Sequence, residues 1–147
     1  MRISTKGDYG IRALVELAHH FGQSGPVQSS EIAARQGIPE AYLDQLLTIL
    51  RRAGFIRSVR GPQGGHTLIR DPNEIKVSEV ITVLEGPIMT LDCLNGASQC
   101  SHSGGCGQRE MWEEVRDSIL DVLERTSIGQ LAAKDRQAAA TGGRYVI

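Results

Sequence analysis

Gly37-Ile-Pro-Glu-Ala-Tyr-Leu-Asp-Gln-Leu-Leu-Thr-Ile-Leu-Arg-Arg-Ala-Gly54 runs directly into Phe55-Ile-Arg-Ser-Val-Arg-Gly-Pro-Gln-Gly-Gly-His-Thr-Leu-Ile-Arg70, and on this stretch the fold turns. In its first half Leu43, Leu46, Leu47 and Leu50 recur at helical spacing. Pro39 suits a first helical turn, and Gly54 ends the helix. The opposite face carries Ala41, Asp44, Gln45, Thr48 and Arg52, side chains with the polarity to meet base edges. In the second half two β-like runs, 55–60 and 66–70, flank a Gly/Pro turn, which reads as a hairpin. No Gly-Lys-Ser/Thr follows those glycines, so the turn is not a nucleotide-binding loop.

Working back from Gly37, a short helix is expected with Ser29 or Ser30 as its N-cap and Glu31 in its first turn. Two short helices joined by a Gly-containing turn make a helix-turn-helix, and the basic hairpin after it makes a winged helix. Arg60, at the base of the wing tip Gly61-Pro62-Gln63-Gly64-Gly65, is placed to reach a phosphate or a narrow minor groove. The glycines are expected to let the tip approach DNA closely. A first helix over 7–21 carries Tyr9, Ala13, Leu14, Leu17, Ala18 and Phe21.

Working forward, Asp71-Pro72-Asn73 turns the chain, and Val77, Val80, Ile81 and Leu84 mark a short helix that ends at Gly86-Pro87. From Gln108 to about Thr126 runs the longest periodic segment. Met111, Trp112, Val115, Ile119, Val122 and Leu123 form its apolar stripe, with Glu110, Glu113, Glu114, Asp117 and Asp121 opposite. The stripe exceeds what one small winged helix needs. A two-fold dimer contact is the preferred reading, since two heads on a palindrome need a connector. Beyond Asp135 the composition turns to Ala, Thr and Gly, and a flexible tail is expected. The expected organisation is a DNA-binding domain over 1–75, a linking helix and cysteine loop over 76–107, a dimerisation helix region over 108–135 and a tail over 136–147. The fold class is mainly α, with a small β-hairpin wing and a long dimerisation helix.

The 147 residues carry a formal net charge of −1. That total argues neither for nor against nucleic acid, but its distribution is uneven. Residues 51–70 hold five arginines and no Asp or Glu, while 76–147 hold seven basic and ten acidic side chains. A local basic strip can contact phosphates. No run approaches the roughly 18 apolar residues of a membrane span. The first residues lack the apolar core of a signal peptide, so a cytoplasmic protein without membrane contact is expected. No enzyme motif is evident: there is no C-x2-C redox pair, no G-x-S-x-G and no H-E-x-x-H.

All three cysteines, Cys93, Cys100 and Cys106, fall within fourteen residues at C-x6-C-x5-C spacing, among Gly, Ser, Asn and Gln. In a reducing compartment such clustering points to metal binding or redox sensing rather than a disulfide. Zinc often uses tight C-x2-C pairs, whereas wide gaps suit an iron–sulfur cluster. Three cysteines leave a position for a fourth ligand, with Asp8, His102 and Glu110 as candidates. A non-cysteine ligand would leave one iron more open to oxygen, nitric oxide or loss.

Met1-Arg-Ile-Ser-Thr-Lys-Gly-Asp-Tyr-Gly10, the segment Gly37–Leu46 and the wing Val59-Arg-Gly-Pro-Gln-Gly-Gly-His66 resemble the Rrf-type family of bacterial winged-helix transcription regulators, of the IscR, NsrR, RirA and CymR types. The resemblance covers residues 1 to about 133. It implies a homodimeric regulator, a repressor, on a palindromic double-stranded operator. It further implies DNA contacts at Ala41, Tyr42, Asp44 and Gln45 and at the wing residues Arg60, Gly61, Pro62, Gly64 and Gly65. It implies an iron–sulfur cluster, 2Fe–2S or 4Fe–4S, on Cys93, Cys100 and Cys106. Signals in the family are cluster supply, iron, nitric oxide or cysteine status. The sequence departs from the family pattern by one extra residue in the first cysteine gap. It also has Arg109 where the IscR type places a ligating histidine. Asp8 stands where the NsrR type has a ligating aspartate, and in a dimer it could come from the other subunit. The CymR type implies an alternative: a cluster-free regulator that responds to thiol oxidation or to a protein partner. A small redox protein is a third reading, and it leaves the winged helix unexplained.

Overall fold

The computed structural model describes residues 3–23, 25–88, 91–95 and 105–142. Helix α1 spans Thr5–His19. It begins two residues before the expected start because the Ser4 hydroxyl accepts from the Lys6 amide at 3.1 Å and caps it. Ala13, Leu14, Leu17 and Ala18 turn its apolar stripe inward.

Helix α2 is Ser29–Gln36 and α3 is Glu40–Arg52, with left-handed Gly37 between them. The cap expectations need correction. Gln28, not a serine, holds the N-cap of α2, and Ser29 and Ser30 lie in its first turn. Pro39 is the N-cap residue of α3 rather than part of its first turn. Its carbonyl accepts from the Tyr42 and Leu43 amides at 3.1 and 2.9 Å. Leu43, Leu46, Leu47 and Leu50 are at most 2% exposed, so the α3 stripe is filled.

Strands β1 (Ile56–Val59) and β2 (Gly65–Leu68) pair antiparallel, in the register Ile56↔Leu68, Arg57↔Thr67, Ser58↔His66 and Val59↔Gly65. Ile56 and Leu68 anchor the hairpin in the core. Val27 pairs with the outer edge of β2, exchanging amide–carbonyl bonds with His66 at 3.0 and 2.8 Å. A 3-10 turn at Pro72–Glu74 leads to α4, Val77–Glu85, whose Val77, Val80, Ile81 and Leu84 are buried.

A single helical turn, α5, covers Asp92–Asn95, and α6 covers Arg109–Arg125. A further helix, α7, runs from Ile128 to Ala140. The periodicity reading stopped near Thr126 and assigned no helix there. Its signal was present in Ser127-Ile-Gly-Gln130: the Ser127 hydroxyl accepts from the Gln130 amide at 3.1 Å, and the Gln130 side chain accepts from the Ser127 amide at 2.9 Å. Helix α7 packs along α1, with Ile128 and Ala132 buried in the common core. The α6–α7 joint is stitched to the segment after the wing by bonds from the Val77 amide to the Thr126 carbonyl and from the Ile128 amide to the Ile75 carbonyl, both 2.9 Å.

Helix α4 and the start of α7 share one core with α1, α2, α3 and the hairpin. Residues 136–140, expected in a flexible tail, continue α7 as an exposed helical end. Alanine favours helix wherever packing does not forbid it.

Close packing of α4 on α1 is set by two glycines. A Cβ at Gly10 would lie 2.2 Å from Leu84 Cδ1, and one at Gly7 would lie 2.7 Å from Glu85 Oε1. The Glu85 carboxylate accepts from the Gly7 amide at 2.8 Å and from the Ser4 hydroxyl. A negative charge there complements the positive end of the α1 dipole. It also ties the end of α4, from which the cysteine segment departs, to the start of α1.

One buried charge joins α1 to α2. Glu16 is 5% exposed and accepts from Arg35 at 2.9 Å and Gln36 at 2.8 Å, with the His20 ring at 3.3 Å. Burial pushes its carboxyl up, but the bonds from Gln36, Arg35 and His20 outweigh that and hold it below the ordinary carboxylate value. A depressed carboxyl stabilises the fold above its unfolded pKa, and that contribution is lost as the pH falls through the folded one.

Candidate nucleic-acid interface and cysteine segment

The recognition-helix candidates divide by exposure. Ala41, Asp44, Gln45 and Arg52 are exposed on α3, opposite the buried leucines. Tyr42 and Thr48 are half-buried. The Thr48 hydroxyl donates to the Asp44 carbonyl at 2.9 Å, which ties it to its own helix. Tyr42 meets the Tyr9 ring of α1 edge-on, with centroids 6.0 Å apart, and Arg12 lies 6.0 Å from the Tyr9 centroid. That cluster braces the N-terminal part of α3 against α1. Sequence reasoning missed the pairing because Tyr9 counted there only as one residue of the α1 stripe.

The wing carries Arg60 and Gly61 to Pro62 exposed at its tip. The tip glycines have a reason beyond DNA approach. A Cβ at Gly64 would lie 2.2 Å from the Val59 carbonyl, and one at Gly65 would lie 2.3 Å from the Val27 carbonyl. The turn closes with a 2.9 Å bond from the Gly64 amide to the Gly61 carbonyl. The pair of glycines is thus fixed first by the folding of the wing onto itself and onto the strand before α2.

Glu40 at the start of α3, Ser29 and Ser30 at the start of α2, and Val59, Gly61, Gly64 and Gly65 of the wing line one shallow cleft. The Gln28 side chain donates to the Pro62 carbonyl across it at 3.4 Å. The structure therefore brings the two helix starts and the wing tip together on one side. Of the basic strip, Arg51, Arg52, Arg57 and Arg60 are exposed. Arg70 leaves that set: it donates to Glu79 at 2.8 Å and lies over the Phe55 ring at 5.4 Å. Arg70 is a strut between wing and α4. Its bond, more than anything else, holds the Glu79 carboxyl below its ordinary value.

Cys93 sits in α5, and Cys106 lies three residues before α6; both are free thiols and half-buried. Helix α5 packs on α6. Cys100 and His102 lie outside the described residues. Among the described residues no group of three or more His, Cys, Asp or Glu converges to hold a metal ion. Asp8 lies in the first turn of α1, where it accepts from Arg12 at 3.1 Å. Glu110 is exposed at the start of α6.

The α6 stripe stays open. No residue of α6 is buried; Met111 is 48% exposed and Val122 46%, with Trp112, Val115, Ile119 and Leu123 half-buried. Leu123 alone of the stripe leans on the core. Among the described residues no helix is long and apolar enough to cross a membrane.

Comparison with known proteins gives one consistent answer. Residues 3–134 match the Rrf2 family, described as an iron-dependent transcriptional regulator. The chain is 38% identical over 133 residues to the HTH-type transcriptional regulator CymR of Bacillus subtilis, covering 90% of this chain and 91% of that one. It is 35% identical over 144 residues to the HTH-type transcriptional regulator IscR of Photobacterium profundum, covering 98% and 82%. Among solved structures it is similar to CymR, the global cysteine regulator of B. subtilis, with TM-score 0.78, 36% identity and coverage of 91% and 98%. It is also similar to T. potens IscR, with TM-score 0.76, 40% identity and coverage of 94% and 90%. These relatives are transcriptional regulators, not enzymes.

Proposed function

We propose, from the premise that the chain belongs to the Rrf2 family of transcriptional regulators, that it is a homodimeric repressor whose grip on a palindromic operator is set by an iron–sulfur cluster. The observation that carries the DNA half is the shared side formed by the start of α3, the start of α2 and the wing tip. Asp44 and Gln45, with Ala41 between the helix start and the first polar residue, face the bases in the major groove. Arg60 and the Gly61–Gly65 tip meet the backbone, and Arg52 adds charge at the end of α3. Tyr42 and Thr48 contribute mainly by holding the helix. The α6 stripe is the dimer contact: an exposed apolar row of this length on a small domain marks an interaction site. A two-fold axis there presents two α3 helices to two half-sites.

The donor chemistry fits a cluster. Cys93, Cys100 and Cys106 would hold it, with Asp8 as the fourth ligand; when bound, the cluster supplies a centre sensitive to oxygen, nitric oxide or iron supply. Two features support the fit. Both described thiols are free and half-buried, and the helices that carry and follow them pack together. Glu85, the last residue of α4, accepts from the Gly7 amide, next to Asp8. The residues that fix the DNA head and those that lead into the cysteines thus share the α1–α4 contact. A cluster can bias the spacing of the two heads only through its different affinity for the two arrangements.

The cluster-free reading keeps equal footing among the relatives, since CymR and IscR match the chain to similar degrees. Anaerobic purification with iron and sulfide analysis separates them. The cluster reading expects coloured protein with stoichiometric iron and sulfide, and operator shifts that differ between holo and stripped forms. Colourless protein after anaerobic reconstitution sinks it in favour of thiol oxidation or a protein partner. Asp8→Ala then tests the fourth ligand, and an unchanged absorption spectrum and cluster lifetime would remove Asp8 from the site.

A further inference from the structure

The His66 ring lies between the wing and the start of α2. Its main chain pairs with Val27, and its ring lies between two hydroxyls: Ser58 Oγ is 3.1 Å from Nδ1, and Ser29 Oγ is 3.4 Å from Nε2. The ring forms part of the floor of the cleft lined by Ser29, Ser30, Glu40, Gly61, Gly64 and Gly65.

We propose that His66 is a proton-binding positioning residue of the DNA interface, which takes up a proton when duplex DNA seats against the wing and α2, so that affinity rises as the pH falls. The inference rests on the DNA-binding reading. Both partners of the ring are serine hydroxyls, and a hydroxyl donates or accepts equally well. Neutral imidazole needs one of them to donate. Imidazolium needs both to accept, and a rotation of one hydroxyl satisfies that without moving the wing. A carboxylate, which only accepts, or a backbone N–H, which only donates, would have favoured a single protonation state. The geometry therefore tolerates both states, and burial together with the surrounding charges chooses between them.

In the free protein burial favours the neutral form. Burial pushes His66 below its ordinary value; Asp44 on α3 pulls the other way, and Arg51 on α3 adds to the depression. The other titratable neighbours are Glu40 at the start of α3, across the cleft, and Arg57 on β1 with His20 at the end of α1, which share a second hollow behind the wing with His66. Helix α2 contributes the Ser29 hydroxyl. Backbone phosphates seated against the cleft would bring negative charge to a ring that the free protein keeps neutral. That charge raises the pKa of the ring, and the proton taken up must strengthen binding by linkage.

The test measures binding of a duplex selected by this protein from a random-sequence pool, by fluorescence anisotropy between pH 5.5 and 7.5 at several salt concentrations. The wild-type protein is expected to bind more tightly as the pH falls, by up to about 10-fold per pH unit for one proton. Its salt slope should steepen by about one at the acid end, as one more cation joins the interface. His66→Gln, which keeps hydrogen bonds to hydroxyls but cannot be charged, should bind with a flat pH profile and an unchanged salt slope. A variant profile as steep as that of the wild type overturns the inference, and so does a flat wild-type profile. Should the variant fail to fold, the wild-type His66 ring resonance decides by NMR: a pKa raised on duplex addition supports the proposal, and an unmoved one overturns it. Tight but pH-indifferent binding would sink only this inference, whereas no duplex binding at any pH would sink the DNA reading along with it.

Discussion

Helices α3 and α6 are built to the same rule and end in opposite situations. Each carries an apolar stripe on one face and polar residues on the other. The α3 stripe, Leu43 to Leu50, is at most 2% exposed, because α1, α2, α4 and β1 close over it. On α6 nothing is buried, and Met111 and Val122 remain nearly half exposed although α4 and α5 pack beside it. Periodicity shows that a helix has a face to hide. It does not show whether the same chain hides it. For α3 the answer lies within the molecule, and for α6 we assign it to a second copy.

That contrast can be broken at several points. The largest effect on stability is expected from Leu43→Ala in α3, which should cost about 2–5 kcal/mol in denaturant unfolding, because a filled site becomes a cavity. A cost as small as that of a surface change would mean that the α3 stripe is not the core. Next comes Ile119→Glu on α6. It should raise the dimer dissociation constant by about 100-fold or more in sedimentation, which corresponds to roughly 2.7 kcal/mol. The fold of the head should persist by circular dichroism. Unchanged dimerisation would show that α6 is not the contact, and loss of the head fold would show that its stripe serves the monomer after all.

The polar faces sharpen the contrast further. Gln45→Ala on α3 should leave stability within about 0.5 kcal/mol while relaxing preference at particular base pairs by roughly 1–3 kcal/mol. Equal losses on selected and random duplexes would contradict base reading by that face. Arg60→Ala should weaken all duplexes alike and lower the salt slope by about one. The smallest effect belongs to Glu114→Ala on the exposed face of α6, expected within about 0.5 kcal/mol for both folding and dimerisation. A larger change would give the acidic side of α6 a part in folding or dimerisation.

Much of the DNA head was legible because its signals are local. Gly37 and Gly54 bound the α3 segment, its leucines show the period, and the Gly/Pro turn between β-like runs marks the wing. The misreadings have equally local causes. Ser29 and Ser30 resemble caps, yet the pairing of Val27 with His66 carries the extended backbone up to Gln28 and leaves that residue as the cap. Arg70 looked like part of a basic strip until Phe55 and Glu79 claimed it. Helix α7, beyond the periodic segment that ends near Thr126, was not read as a helix because its apolar pattern is weak and rich in alanine, although its capping box was there to read. The link between His66, Ser29 and Ser58 had no signal along the chain, since its members are 8 and 37 residues apart.

The sequence by itself determined the winged helix-turn-helix, the wing, the cysteine spacing and the existence of two amphipathic helices, because turn residues and periodicity act over a few neighbours. Only the tertiary structure decided that α4 and the start of α7 share one core with α1, α2, α3 and the hairpin, that Gly64 and Gly65 are required by the wing's own packing, and that one stripe is filled while the other stays open. Those outcomes depend on which surfaces meet across the whole chain, and burial is a property of the meeting rather than of either segment.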